Sequence, residues 1–308
     1  MKIVFMGTPS FAVAPLVNLS QHHEILAVVT PLDKIGNRNK ITPCPVKQKA
    51  NELDIPVLQY SSVSKFGIEE ISSLNPDVII TCAFGQMLSK EFLSIAKYGV
   101  LNVHASLLPK YRGAAPINWA LINGETHTGV TIMRTILALD AGDVILSSKI
   151  AISKDDNFGS LSAKLSVLSS RLIVNALDLI VQNDITSIPQ NNSLATKCGK
   201  ITKSLELIDW SKPSYQIVNL VRGLSPTPSA YTFLQGRRVK IIECEQIAQI
   251  GKDQAGKVIE LRKDRIVVAC GKGYVGLKVI QLEGNKAVTA KDFINGRKVS
   301  LGMVFGNE

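Results

Sequence analysis

Asn102 and His104 stand two apart in an apolar run, LNVHA, that leads straight into the loop SLLPKYRGAAP. On a β-strand that spacing puts both side chains on one face of the sheet. One offers an amide donor; the other is an imidazole, the side chain whose ordinary titration range brackets neutrality. A pair of this kind often does no more than satisfy its own hydrogen bonds. A third polar group changes the reading. Asp140, in LDAGD, falls on a turn between two further strands, where a carboxylate can pair with His104. Such a trio suits attack by an amine on a formyl carbonyl, which needs no protein nucleophile. It needs a hydrogen bond to the oxygen that gains charge, a neutral amine, and a proton route to the leaving nitrogen. Asn102 with His104 supplies the first. Asp140 holds His104 in orientation and organises a water relay. No nucleophile with a base at a recognisable spacing competes, and G-x-S-x-G is absent.

These side chains need a frame. Residues 1–6, 24–30, 77–84, 99–105, 129–133 and 143–152 read as strands. Helical spacing of apolar residues intervenes at 11–19, 46–53, 64–74, 89–96 and 115–122, and a long amphipathic stretch spans 158–181. Strands apolar on both faces, alternating with helices, predict an α/β domain with a mostly parallel sheet covered on both sides. Asn102 and His104 then lie at the carboxyl end of a parallel strand, where open α/β sheets form their ligand clefts. Gly7-Thr8-Pro9-Ser10 follows the first strand but matches neither dinucleotide nor P-loop fingerprints. It reads as a tight turn, and no nucleotide cofactor is expected.

Residues 183–205 are polar, contain Pro and Gly, and lack periodicity, as a linker would. The expected division is a catalytic domain over 1–189, a linker over 190–205 and a second domain over 206–308. In the second, a short helical pattern at 215–224 precedes alternating strands with Gly-containing turns, the pattern of a small OB-like β-barrel. Charge separates the two parts. Residues 190–308 carry 19 Lys and Arg against 10 Asp and Glu, so nearly all of the net +10 lies there. A bland basic surface and a polyanionic partner, nucleic acid first, both fit that excess. Arg237 and Arg238 are candidate phosphate contacts. The 5 cysteines are widely spaced with no C-x-x-C, as in a reduced cytosolic protein. His22, His23 and His127 form no ligand set with Cys or carboxylate neighbours, so no metal is expected. No signal-peptide core or bilayer-length apolar stretch appears, and the expectation is a cytoplasmic, monomeric protein with no membrane contact.

Taken together, N-x-H followed by SLLP, GAAP, GVTIM and LDAGD resembles the 10-formyltetrahydrofolate-dependent formyltransferases. The likeness to the methionyl-tRNA branch of that family runs nearly end to end, through KIVFMGTPSFA, PCPVK, KITKSLELIDW and LSPTPSAYT. It implies a Rossmann-like catalytic domain and a C-terminal OB-like barrel. The implied activity is formyl transfer from 10-formyltetrahydrofolate to the α-amino group of initiator methionyl-tRNA, for translation initiation. Catalytic roles map onto Asn102, His104 and Asp140. Folate contacts map onto Ser106, Leu107, Leu108 and Pro109, with the main chain at Phe84, Gly85 and Gln86 lining the pteridine pocket. By composition, the polar segment 30–47 is a solvated surface loop. The resemblance assigns it to the tRNA acceptor stem, with Arg38 and Lys40 in that role. Two stretches depart from the family pattern. RTILALD before the carboxylate is more apolar than usual, and SPTPS at 225–229 lacks the family's tryptophan.

Two other functions share parts of this pattern. A formyltransferase for a small amine would keep the trio but needs neither the basic loop nor the basic tail. A non-catalytic RNA-binding protein would need the tail but not the trio.

Overall fold

A computed structural model describes residues 1–35, 41–184, 186–248, 251 and 253–306 of the chain. The chain forms two compact units. The first comprises Met1–Pro116, His127–Ala151 and Ser162–Gly199; the second comprises Ile117–Thr126, Ile152–Leu161 and Lys200–Glu308.

The chain begins with β1 (Lys2–Gly7), α1 (Val13–His22), β2 (Glu24–Thr30), a short antiparallel pair β3 (Lys34–Ile35) and β4 (Ile41–Thr42), and α2 (Pro45–Glu52). It continues through β5 (Val57–Gln59), α3 (Val63–Phe66), α4 (Ile68–Ser73), β6 (Val78–Cys82), α5 (Lys90–Leu93) and β7 (Val100–His104). Then follow β8 (Arg112–Gly113), α6 (Pro116–Ile122), β9 (His127–Arg134), β10 (Val144–Ala151), α7 (Phe158–Val181) and β11 (Lys197–Cys198). Most of α6 and the first turn of α7 belong to the second unit.

Among the described residues, seven strands pair in the order β10-β9-β7-β6-β1-β2-β5. From β5 to β7 the pairing is parallel, and β9 runs antiparallel to both its neighbours. Every residue of β6 is buried, as is β1 from Ile3 onward. Runs apolar on both faces are what a covered parallel sheet requires. On one face Val4, Met6 and Ile79 pack with Val63, Ile71 and Phe92. Each such side chain contributes about 1.5–3 kcal/mol through its burial.

Local departures from the expected pattern have local causes. The helix expected over 64–74 breaks into α3 and α4 at Gly67. A Cβ there would stand 3.0 Å from the Tyr60 ring and from both the side chain and the carbonyl of Val63. The edge strand β5 has three residues, too few to show a period. The helix expected over 89–96 shrinks to α5, capped by Ser89 Oγ, which accepts from Phe92 N at 3.2 Å.

The second unit continues with α8 (Lys203–Glu206), α9 (Ser214–Leu224), β12 (Ala230–Leu234), β13 (Arg237–Ile247), β14 (Val258–Leu261) and β15 (Ile266–Ala269). Its last elements are β16 (Tyr274–Leu282), β17 (Val288–Thr289), α10 (Ala290–Asn295) and β18 (Phe305–Gly306). The strands form a curled antiparallel sheet, β14-β15-β16-β13-β12-β18, with β17 on β16, an OB-like half-barrel. Ile217, Val221 and Leu224, on one stripe of α9, bury against Trp210, Ile241 and Phe305.

Part of the expected linker has its own pairings. β11 lies parallel to β8, with Lys197 opposite Arg112 and Cys198 opposite Gly113, and residues up to Gly199 cluster with the first unit. No helix among the described residues is long and apolar enough to cross a membrane.

Candidate active site

The carboxyl ends of β6 and β7 and the turn between β9 and β10 meet around Asp140. Asn102 and His104 lie on β7, and Thr81 on β6 is directly opposite Asn102. Thr81 Oγ1 donates to Asn102 Oδ1 at 2.9 Å, which turns the amide nitrogen outward. That nitrogen, Nδ2, donates to Asp140 Oδ1 at 3.4 Å. Asp140 Oδ2 accepts from the backbone N of Gly113 at 2.8 Å. It also lies 3.7 Å from His104 Nδ1, an ion pair whenever the ring carries both protons. His104 Nε2 is 2.9 Å from the Tyr111 carbonyl. A carbonyl only accepts, so Nε2 holds a proton and Nδ1 is the nitrogen facing Asp140. The His104 and Asp140 side chains are 6 % and 9 % exposed, so their mutual field is poorly screened by water. The trio named from the sequence therefore converges.

The backbone is shaped to allow this. Asp140 sits at φ +49 and Tyr111 at φ +61. Gly113 has φ +123, and a Cβ on it would stand 2.2 Å from the Cys198 carbonyl. Only glycine lets β8 and β11 approach there while Gly113 N points at the carboxylate. Burial first, with the nearby Asp140 carboxylate as a lesser cause, pushes the Cys198 thiol up. Its Sγ donates to the same Tyr111 carbonyl at 3.3 Å.

The segments named by resemblance take distinct places. Ser106 is fully buried, and its Oγ donates to the Lys110 carbonyl at 2.6 Å, closing the SLLP turn. Thr131, opposite His104 on β9, donates to the Ser106 carbonyl at 2.7 Å and accepts from Leu108 N at 3.2 Å. Leu107 packs on Gly129, where a Cβ would come 2.5 Å from a Leu107 methyl. The Leu108–Pro109 bond is cis. After β6, Phe84 is buried and its carbonyl accepts from Thr8 Oγ1 at 3.3 Å. Gln86 spends its amide internally, accepting from Val63 N at 2.8 Å and donating to the Tyr60 carbonyl at 3.0 Å. Gly85 has φ +83, and a Cβ there meets nothing within 4 Å. The loops after β6 and β9 carry exposed apolar side chains: Met87 at 70 % and, within RTILALD, Ile136, Leu137 and Leu139.

Arg38 and Lys40 lie outside the described residues. Lys47, at the base of the same loop, is held by Asp33 Oδ2 at 2.5 Å and Gln59 Oε1 at 2.6 Å. In the second unit Arg237 is exposed at the start of β13. Arg238 stacks 3.8 Å from the Tyr231 ring centroid and lies 3.6 Å from Glu206 Oε2.

Several groups at the site escaped the sequence reading. Thr81 left a signal, as one polar residue within the apolar run DVIITCAF. Gly113 N, the Tyr111 carbonyl and Thr131 left none, because their roles depend on strand register and on backbone groups that every residue has.

Comparison with known proteins fits this geometry. A family model described as formyl transferase matches residues 1–177, and one described as formyl transferase, C-terminal domain, matches residues 200–298. The chain belongs to the formyl transferase family. A methionyl-tRNA formyltransferase of Alkaliphilus oremlandii is 42% identical over 309 residues, covering 99% of this chain and 100% of that protein. One from Streptococcus sanguinis is 44% identical over 312 residues and 99% of each chain. Among solved structures, the formyl transferase fold recurs in an N-formyltransferase of Helicobacter canadensis, bound to folinic acid and dTDP-3-aminofucose. That match has TM-score 0.69 at 19% identity, over 90% of this chain and 98% of that one. HypX of Aquifex aeolicus, bound to tetrahydrofolic acid, matches with TM-score 0.68 at 17% identity, over 98% of this chain and 48% of its own length.

Proposed function

We propose that this chain transfers the formyl group of 10-formyltetrahydrofolate to the α-amino group of methionyl-tRNA, giving N-formylmethionyl-tRNA, as a cytoplasmic monomer. The observation that carries this reading is the Asp140 carboxylate reaching both Asn102 and His104 in a chain that matches methionyl-tRNA formyltransferases from end to end.

The residues fit the donor. Open space at Gly85 lets a flat ring lie against the backbone after β6, and exposed apolar side chains on the loops after β6 and β9 suit its covering. Ser106 to Pro109 form the adjoining turn. When bound, the folate supplies a formyl group on nitrogen. Asn102 Nδ2 has a second N–H, beyond the one given to Asp140, for the carbonyl oxygen that gains negative charge. His104 Nδ1 can take or give a proton on the Asp140 side. Asp140 keeps the ring and the amide in register. A folate analogue is expected to raise Tm, because a ligand that binds only the native state stabilises it, whereas ATP and NAD leave Tm unchanged. A shift with either nucleotide and none with folate contradicts the assignment.

Residues 1–189 carry the chemistry in this reading, 206–308 the tRNA phosphate contacts, and 190–205 join them. Arg237, exposed, suits a phosphate contact better than Arg238, whose guanidinium is engaged by Tyr231 and Glu206. Arg237→Ala should weaken tRNA binding and lower its salt slope by about one unit or slightly less. Turnover at saturating tRNA should hold, since uniform binding does not speed chemistry. Arg38 and Lys40 help deliver the methionyl end. Arg38→Ala should therefore lower turnover even at saturation, because misplacement near reacting atoms is costly. Steady-state kinetics of both variants over a salt series decide the matter. If Arg38→Ala alters only a salt-dependent KM, the loop is one more phosphate contact.

A further inference from the structure

The turn that carries Asp140 spans 135–143 between β9 and β10 and is tied to strands at its two ends, where Thr135 N donates to the Val100 carbonyl at 2.8 Å and the Asp143 carbonyl accepts from Arg134 N at 2.9 Å. Asp140 itself sits at φ +49, a conformation that needs support from outside the residue. That support comes from Gln190. Its side-chain amide donates to two carbonyls of the turn, Asp140 O at 2.9 Å and Gly142 O at 2.7 Å. Its oxygen accepts from Arg112 Nε at 3.0 Å and Nη2 at 2.8 Å. Nη2 also reaches Asn192 Oδ1 at 2.8 Å. Arg112 can only donate and the two carbonyls can only accept, so this amide has one orientation. The neighbouring backbone runs with it, since Val144 and Ile188 exchange N–H···O bonds at 2.8 Å.

We propose that Gln190, held by Arg112, is a positioning residue for Asp140. The connection closes on itself. Arg112 grips the Asp140 backbone through Gln190, and the next residue, Gly113, grips the Asp140 carboxylate through its N–H at 2.8 Å. One dipeptide thus fixes both ends of the aspartate and so the direction in which the carboxylate points. Both ends matter, because the contacts from Asp140 to Asn102 and His104, at 3.4 and 3.7 Å, are already long. Gln190 meets Asp140 at its backbone carbonyl and touches none of the side chains assigned to the reaction; it acts through Asp140. The stretch around 190 reads from sequence as linker, and this assigns part of it to the site.

The proposal rests on the catalytic reading of Asp140, and a double-mutant cycle separates the two. Gln190→Ala is expected to lower kcat by roughly tenfold or more, with KM for methionyl-tRNA and for folate unchanged within about twofold. In the Asp140→Ala background the same change should cost less than about twofold, because the group it positions is gone. Gln190→Glu keeps an acceptor for Arg112, and so the fold, but sets oxygen against the Asp140 and Gly142 carbonyls. It should lose at least as much kcat as Gln190→Ala. Normal kcat in Gln190→Glu, or an undiminished loss from Gln190→Ala on top of Asp140→Ala, overturns the positioning role and leaves the Asp140 assignment standing. Normal kcat in Asp140→Ala alone overturns the catalytic reading itself.

Discussion

Replacing Asn102, His104 or Asp140 by alanine is expected to lower turnover by on the order of a hundredfold or more in each case, with the fold retained. Loss of one preorganised donor at a developing oxyanion raises the barrier by about 2.7–4 kcal/mol. Here the three groups also hold one another. Asp140 Oδ1 takes the Asn102 amide at 3.4 Å, and Oδ2 faces His104 Nδ1 at 3.7 Å. Removing Asp140 leaves Asn102 held by Thr81 alone and His104 by the Tyr111 carbonyl alone, so the double variant Asn102→Ala/Asp140→Ala should cost less than the product of the single losses. Asn102→Ala leaves Thr81 Oγ1 one other acceptor, the Leu101 carbonyl at 3.2 Å, so the strand should tolerate it. Single-turnover rates with prebound substrates give the chemical step directly. A His104→Ala protein that turns over near the normal rate contradicts the mechanism.

How much of this was legible in the sequence depended on the range of the interaction. Asn102 and His104 share a face because strand side chains alternate, a rule that needs no knowledge of neighbours. The cleft could be placed because a buried parallel strand announces itself as an unbroken apolar run, as β1 does from Ile3 to Met6. Asp140 was legible only through its motif, since nothing local says that a turn between β9 and β10 folds back onto β7. Gln190 was beyond reach. Its amide acts through Arg112 and through two carbonyls about 50 residues away in sequence, and polar composition without periodicity reads as linker whether or not it is anchored. The same limit applies to Arg238. Its charge was visible, but its stacking on Tyr231 depends on the pairing of β12 with β13, which sets Tyr231 opposite Lys240 and Phe233 opposite Arg238.

Gly113→Ala should damage both stability and turnover through one added methyl group. The added Cβ would stand 2.2 Å from the Cys198 carbonyl, at φ +123, where L side chains are strained. Backbone strain of this kind costs about 1–3 kcal/mol before the clash is counted. Relieving the clash separates β11 from β8. Together these predict a fall in Tm of roughly 5–10 °C. Turnover should fall as well, measured below the new Tm, because Gly113 N gives Asp140 Oδ2 its shortest hydrogen bond, 2.8 Å. A hydrogen bond to a charged group contributes about 1.5–3 kcal/mol, so its loss predicts a decrease of about tenfold to a hundredfold. Gly85→Ala is the control for substituting a positive-φ glycine, since a Cβ there meets nothing within 4 Å. It should lose stability through φ strain but keep β8 and β11 paired. Unchanged Tm and turnover in Gly113→Ala would mean that β8 and β11 do not meet as described.

The central claim concerns which amine receives the formyl group. The direct measurement is incubation of the full chain with 10-formyltetrahydrofolate labelled in its formyl carbon, together with equal concentrations of methionyl-tRNA and a small amine. Glycinamide ribonucleotide and a nucleotide-linked amino sugar serve as the small amines in separate reactions. The account predicts label in N-formylmethionine released from the tRNA, its loss in Asp140→Ala, and none above background in either small product. Label in a small amine with none on the tRNA would contradict it.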